Sequence, residues 1–218
     1  MPLITGLEPA GGRATGVIMH VDGQPVCHLS DDLRLRLCLS IGDELTNEQV
    51  GSIVHASEIT EAKNSALRYL SYRPRTRAEV LRHLRGKGLE MHAEAVLARC
   101  EELGYIDDEA YALAFVRERV RLRPRGIPRL VSELLSRGVS REVAERAAAA
   151  ALEEEDVTED ELLRVVAQRR LKAIRGLEPT VARRRLAGFL ARRGFRPGAV
   201  RAMVRELLPD EAEGPPPL

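Results

Sequence analysis

The stretch Val80–Gly88 reads VLRHLRGKG, and the frame inside it occurs three times in the chain. The frame is an apolar residue, a Leu four positions on and a Gly four further: Val80–Leu84–Gly88, Leu130–Leu134–Gly138 and Leu186–Leu190–Gly194. Each Gly is followed by an apolar residue, Leu89, Val139 and Phe195. Small or apolar pairs then follow at matching offsets: Ala93 with Leu97, Val143 with Ala147, and Ala199 with Met203. Residues i and i+4 share a helix face, and a Gly just past the last turn takes the left-handed conformation that ends a helix. The frame therefore predicts helix, stop, helix. The glycines stand 50 and 56 residues apart, the length of a three-helix unit, so the chain reads as a tandem repeat.

Composition supports helices. Hydrophobic residues make up 44% of the 218, yet aromatic residues only 3% and Trp is absent, so cores must be built from Leu, Val, Ile and Ala. No run approaches the length of a membrane span, and MPLITGLEPAGG at the start lacks the pattern of a secretory signal. Cys27, Cys38 and Cys100 are odd in number and irregularly spaced, which indicates neither a disulfide framework nor a zinc site and fits reduced thiols in a cytoplasm.

In chain order, TGVIMHVDGQPVCHL alternates apolar residues and breaks at Asp22-Gly23, the signature of a type I′ hairpin. A strand near Leu3–Leu7 would complete a small sheet, and Ser30 opens a short helix. Thr46 and Gln49 have capping-box spacing before one helix. A second helix, with Ile59, Ala62, Ala66 and Leu70 facing inward, is expected to stop before Pro74. Further starts are read at Thr76–Glu79, Asp107, Pro128, Ser140 and Thr158–Glu161. The fold expected is mainly α: three tandem three-helix repeats in an elongated array, preceded by a small β-hairpin-containing module. The boundaries are 1–57 for the module, 58–104, 105–152 and 153–208 for the repeats, an acidic joint at 153–161, and a disordered tail at 209–218.

No catalytic constellation emerges. GKG at 86–88 lacks the first Gly and the Ser/Thr of a phosphate-binding loop. The five His are scattered without metal-ligand spacing, and no nucleophile motif is present. An enzyme, a cofactor and a metal site are not expected.

Arginine carries what remains. The chain has thirty-one Arg against three Lys, and Arg makes planar, two-pronged contacts to phosphate and carboxylate. Charge is segregated: residues 153–163 hold seven acids and no base, whereas 164–205 hold thirteen bases and the single acid Glu178. One set of clusters lies in and before the middle helices: Arg73, Arg75 and Arg77; Arg121, Arg123, Arg125 and Arg129; Arg183, Arg184 and Arg185. A second set precedes the glycines: Arg85 with Lys87, Arg137, and Arg192 with Arg193. Stacked repeats would align them as a basic stripe, although soluble helices carry charged faces in any case. LLSRGVSREVAERA is similar to a helix-turn-helix, but its second helix is poor in side chains that read bases.

The segments ALRYLSYRPRTRAEVLRHLRGKG, LGYIDDEAYALAFVRERV, RPRGIPRLVSELLSRGVS and RRRLAGFLARRGF, in this order and spacing over 62–208, resemble the RecX regulatory proteins of bacteria. The resemblance implies a monomeric, cytoplasmic protein of recombination, DNA repair and the SOS response. Such a protein would bind the groove of a filament of RecA on single-stranded DNA and modulate, mostly downward, RecA's ATPase and strand-exchange activities. The clusters Arg183–Arg185 and Arg73–Arg77 are expected to contribute most to that binding. A helical-repeat module that binds DNA alone, without sequence preference, is the competing expectation.

Overall fold

The computed structural model describes residues 1–11 and 16–209; nearly all of the expected tail falls outside them. Three strands, β1 (Ile4–Pro9), β2 (Val17–Val21) and β3 (Gln24–Leu29), precede ten helices among the described residues. The helices are α1 (Asp31–Leu37), α2 (Asn47–Ser71), α3 (Arg77–Arg85), α4 (Ala93–Glu102), α5 (Asp108–Leu122), α6 (Ile127–Ser136), α7 (Arg141–Glu154), α8 (Glu159–Ala173), α9 (Pro179–Arg192) and α10 (Pro197–Leu207). A short 3₁₀ turn, Glu90–His92, leads into α4. The chain divides into two compact units: Met1–Arg75 with Glu79–Ile106, and Thr76–Ala78 with Asp107–Leu218.

In the first unit β2 pairs antiparallel with β1 and β3. Asp22 and Gly23, at φ 50° and 78°, turn the hairpin as the sequence predicts. The inner face of the sheet, with Ile4, Met19 and Leu29 fully buried, closes over Leu33 of α1 and Ile53 of α2. Thr46 and Gln49 form the expected capping box. The two helices expected after it are one, α2, 25 residues long. No Gly or Pro lies between Ser52 and Ser71, so nothing in the backbone chemistry breaks the helix. It serves two cores, packing Ile53 against the sheet and Ala62 and Ala66 against Val80, Leu84 and Leu97. The boundary drawn at 57/58 falls inside it, and Ile59, expected inward, is 36% exposed.

The second unit holds α5–α7 and α8–α10 around one continuous core. Starts follow the sequence signals: Asp107, Ser140 and Thr158 each accept an amide from the first turn of their helix. Pro128 and Pro179 occupy first-turn positions where no amide partner is needed. Ala144, Ala147 and Ala151 give α7 a face of small residues, all buried.

The repeated frame resolves into one backbone device. Gly88, Gly138 and Gly194 stand at φ 74°, 89° and 82°. The amide after each Gly returns to the frame Leu: Leu89 to Leu84, Val139 to Leu134 and Phe195 to Leu190, at 3.0, 3.2 and 3.4 Å. Each Gly amide bonds the carbonyl three residues back. This is the Schellman stop, and it explains why an apolar residue follows each Gly. All six frame residues before the glycines are fully buried, each side chain contributing about 1.5–3 kcal/mol by burial.

The glycines also make close approaches. Gly126, at the start of α6, donates its amide to the Arg193 carbonyl at 3.1 Å. A Cβ on Gly126 would lie 2.2 Å from the Gly194 carbonyl oxygen, and one on Gly194 would lie 2.2 Å from Arg129 Cβ. Thr76 precedes α3 as Gly126 precedes α6, and its hydroxyl donates to the Arg137 carbonyl at 2.7 Å. A Cβ on Gly138 would likewise meet Ala78 Cβ at 2.1 Å.

Gly126 has φ −66° and ψ 147°, a conformation open to any residue. Gly126→Ala therefore tests the close approach and not the local backbone. It should destabilise the fold by about 1–3 kcal/mol through overpacking, measured by urea unfolding. An unchanged midpoint would contradict the tight contact with Gly194.

Candidate functional site

Positions that read as one class in the sequence differ in what they touch. In the first unit Arg73 lies 3.7 Å from Glu79. Arg75 places its guanidinium 4.1 Å over the Tyr69 ring, whose other ring contact is His83, stacked at 4.2 Å. Burial, aided by the charges of Lys87 and Arg75, pushes the His83 pKa below its ordinary value, while Ser65 acts weakly the other way. Arg85 and Lys87 are exposed. Tyr72, 78% exposed, is open to solvent as a stacking platform would be.

In the second unit several candidates serve the fold. The Arg77 amide donates to Asp108 Oδ1 at 2.8 Å. The Arg121 Nε donates to both carboxylate oxygens of Glu155 at 2.8 Å, and its Nη2 lies 2.7 Å from Oε1. Arg125 and Arg129 share Glu133, and Arg129 also bonds the Arg192 carbonyl at 3.0 Å. Arg137 stands over the Phe115 ring together with Arg119. Arg183 donates to the carbonyls of Leu208 and Pro209, satisfying groups past the end of α10. Arg184, Arg185 and Arg192 are exposed on and beside α9.

Arg123 and Arg193 are brought together in one cleft, and Arg169 and Arg170 of α8 join them. The sequence reading passed over these last two. Their only sequence signal is the surplus of bases in 164–205, since α8 displays no basic periodicity of its own. The structure also assembles a group that sequence spacing hides: His55 and Glu58 of α2 meet His92, with ligand-type atoms within 4.8 Å of one another. His92 Nε2 lies 2.9 Å from Glu58 Oε2, so an ion pair or hydrogen bond accounts for the pairing. Two imidazoles and a carboxylate are the residue types that could hold a transition metal.

The acidic joint is structural in much of its length. Glu155 pairs with Arg121, Arg117 pairs with Glu154, and Glu161 closes the capping box on Thr158. Glu178, the lone acid of the last stretch, caps α9 by accepting from Thr180 and Val181 at 3.0 Å each.

Family models for the first, second and third three-helix domains of RecX match residues 62–100, 107–147 and 158–204. A protein of Thermobifida fusca titled "Regulatory protein RecX" is 40% identical over 180 residues, 75% of this chain and 86% of its own length. The chain belongs to the RecX family. A Streptomyces coelicolor RecX protein is 38% identical over 156 residues, 71% of this chain and 81% of its own. The fold of this family member is also that of two solved RecX structures. One covers 94% of this chain and all of its own, at TM-score 0.65 and 22% identity. The other, from Lactobacillus salivarius, covers 70% of this chain and 97% of its own, at TM-score 0.61 and 24% identity. RecX proteins are a regulatory family. No helix among the described residues is long and apolar enough to cross a membrane.

Two exposed ion pairs of the second unit add a pH dependence to its stability. Hydrogen bonds from Arg121 hold the Glu155 carboxyl below its ordinary 4.5, and Arg164 does the same for Glu206. Both folded-state values lie below the unfolded one, so their stabilisation is present above about pH 4.5 and is lost as pH falls through the folded values. Glu155→Gln with Glu206→Gln should lower Tm modestly at pH 7, since the pairs are exposed. It should also flatten the fall in Tm on acidification, followed by circular dichroism. Parallel Tm–pH curves for variant and parent would show that these pairs contribute nothing.

Proposed function

We propose that this RecX family member regulates RecA, mostly negatively, by binding RecA filaments on single-stranded DNA and lowering their ATPase and strand-exchange activities in recombination and repair. The observation that carries this reading is the match to all three RecX domains, together with relatives titled as regulatory proteins. The basic surface supports it physically. Arg184, Arg185 and Arg192 are exposed in a stretch whose one acid, Glu178, is spent as a helix cap. Such arginines suit phosphate or acidic protein surface, and phosphate contacts position a protein without reading sequence. A tandem array offers basic positions once per repeat, as a filament offers its subunits in series. On this reading the protein acts as a monomer in the cytoplasm, where RecA and DNA meet.

The competing reading, a module that binds DNA on its own, draws support from the arginine cleft around Arg169 and Arg170. Titrating the protein into RecA turning over ATP on single-stranded DNA separates the two. Inhibition at a protein-to-RecA ratio well below the amount needed to coat naked DNA is the expected result. Arg184→Glu with Arg185→Glu should raise the half-inhibiting concentration about tenfold, the equivalent of about 1.4 kcal/mol. Arg183 is left in place because it bonds the end of α10. ATPase unaffected at every ratio would overturn the proposal.

A further inference from the structure

Repeats two and three each set two guanidinium groups over one phenylalanine. Phe115 carries Arg119 and Arg137, with guanidinium carbons 4.5 and 5.1 Å from the ring centre. Phe189 carries Arg170 and Arg193, at 5.0 and 5.1 Å. Arg137 and Arg193 are the residues immediately before the frame glycines, and Arg119 and Arg170 come from the first helix of each repeat. The two stacks differ in their neutralisation. Arg119 lies 2.9 Å from the Glu118 carboxylate. Around Phe189 no carboxylate comes within ion-pair distance of either arginine among the described residues.

Two further arginines, Arg123 and Arg169, join Arg170 and Arg193 on a cleft of about 300 Å³ lined also by Phe189 and Val166 and, among the described residues, by no acidic one. Arg193 uses one N–H on the Pro124 carbonyl at 3.4 Å. The Arg170 Nε is buried and has no hydrogen-bond partner among the described residues. Four arginines line this one cleft, and an anion bound among like charges lowers their mutual repulsion. Guanidinium forks match the non-bridging oxygens of a phosphate. Stacking on Phe189 holds Arg170 and Arg193 in place, so little side-chain freedom remains to be lost on binding.

We propose that this cleft is a phosphate-binding site and that its occupant is the backbone of a single nucleic-acid strand. The choice of strand rests on the proposed function, but the phosphate chemistry stands without it, and the test uses no RecA. The side chains of Arg123 and Arg169 are exposed and make no hydrogen bond or ion pair among the described residues, while the Arg123 backbone amide, which alanine keeps, bonds the Arg119 carbonyl. Arg123→Ala with Arg169→Ala should therefore leave circular dichroism and Tm unchanged. Anisotropy of a labelled oligothymidylate should show binding weakened about tenfold, and the slope of log affinity against log salt reduced by about 1.4, at ~0.7 per phosphate contact. Arg99→Ala with Arg141→Ala removes the same charge from exposed positions elsewhere. Equal loss from both pairs, or no loss from the first, overturns the strand as the occupant of this cleft. Calorimetry with tripolyphosphate and with ATP forms the second arm. Binding of these that disappears in the Arg123/Arg169 variant, with oligothymidylate binding intact, would keep the phosphate site but assign it to free nucleotides. If neither the strand nor the free phosphates respond, the cleft is not a phosphate site.

Discussion

The amide of Gly126 reaches the carbonyl of Arg193, and the arrangement of the second unit depends on that meeting. On one side is the start of the middle helix of repeat two; on the other is the Schellman loop of repeat three. Neither backbone could come so close with a side chain at Gly126 or Gly194. Gly138 and Gly194 thus have two duties, whereas Gly88 has only the first, since a Cβ there would meet nothing within 4 Å. The positive φ ends a helix, and the missing Cβ of Gly138 and Gly194 admits a neighbouring helix start. The first duty is local and the second tertiary, and one residue type satisfies both. Thr76 on Arg137 and Ala78 on Gly138 repeat the pattern, with a hydroxyl in place of an amide as donor.

This explains what the sequence could tell. The frame Leu, the glycine and the following apolar residue form a continuous local motif, so helix ends and buried positions were legible from spacing alone. The caps at Ser30, Thr46, Asp107, Ser140 and Thr158 were legible for the same reason, since each bonds an amide within its own first turn. Gly126 carries no such local signal, because its partner, the Arg193 carbonyl, lies far along the chain. The continuity of α2 was missed for a different reason. Its apolar residues serve two separate cores, so their spacing shifts midway although the backbone does not break.

The arginines show the limit most plainly. In the sequence Arg121, Arg123 and Arg125 are near neighbours with equal claims. In the fold Arg121 is held by Glu155, Arg125 by Glu133, and Arg123 faces a cleft without acids. Pairing is decided by which carboxylate folding brings near, and those carboxylates come from other helices or from the acidic joint. Glu154 and Glu155 of the joint therefore pair with Arg117 and Arg121 of repeat two, and in repeat three Glu206 pairs with Arg164, while Arg169, Arg170 and Arg193 meet no carboxylate at ion-pair distance among the described residues. The phosphate site proposed above rests on that asymmetry, and its arginines come in part from α8.

Native-state hydrogen exchange at the Gly126 amide tests the docking account most directly. If that amide is locked onto the Arg193 carbonyl, it should exchange as slowly as the buried core amides of α6 and α9, opening only when the second unit unfolds. Exchange at the rate of an exposed loop amide would mean that the helix start and the glycine loop are not held together, and the account of how repeats two and three are joined would fail.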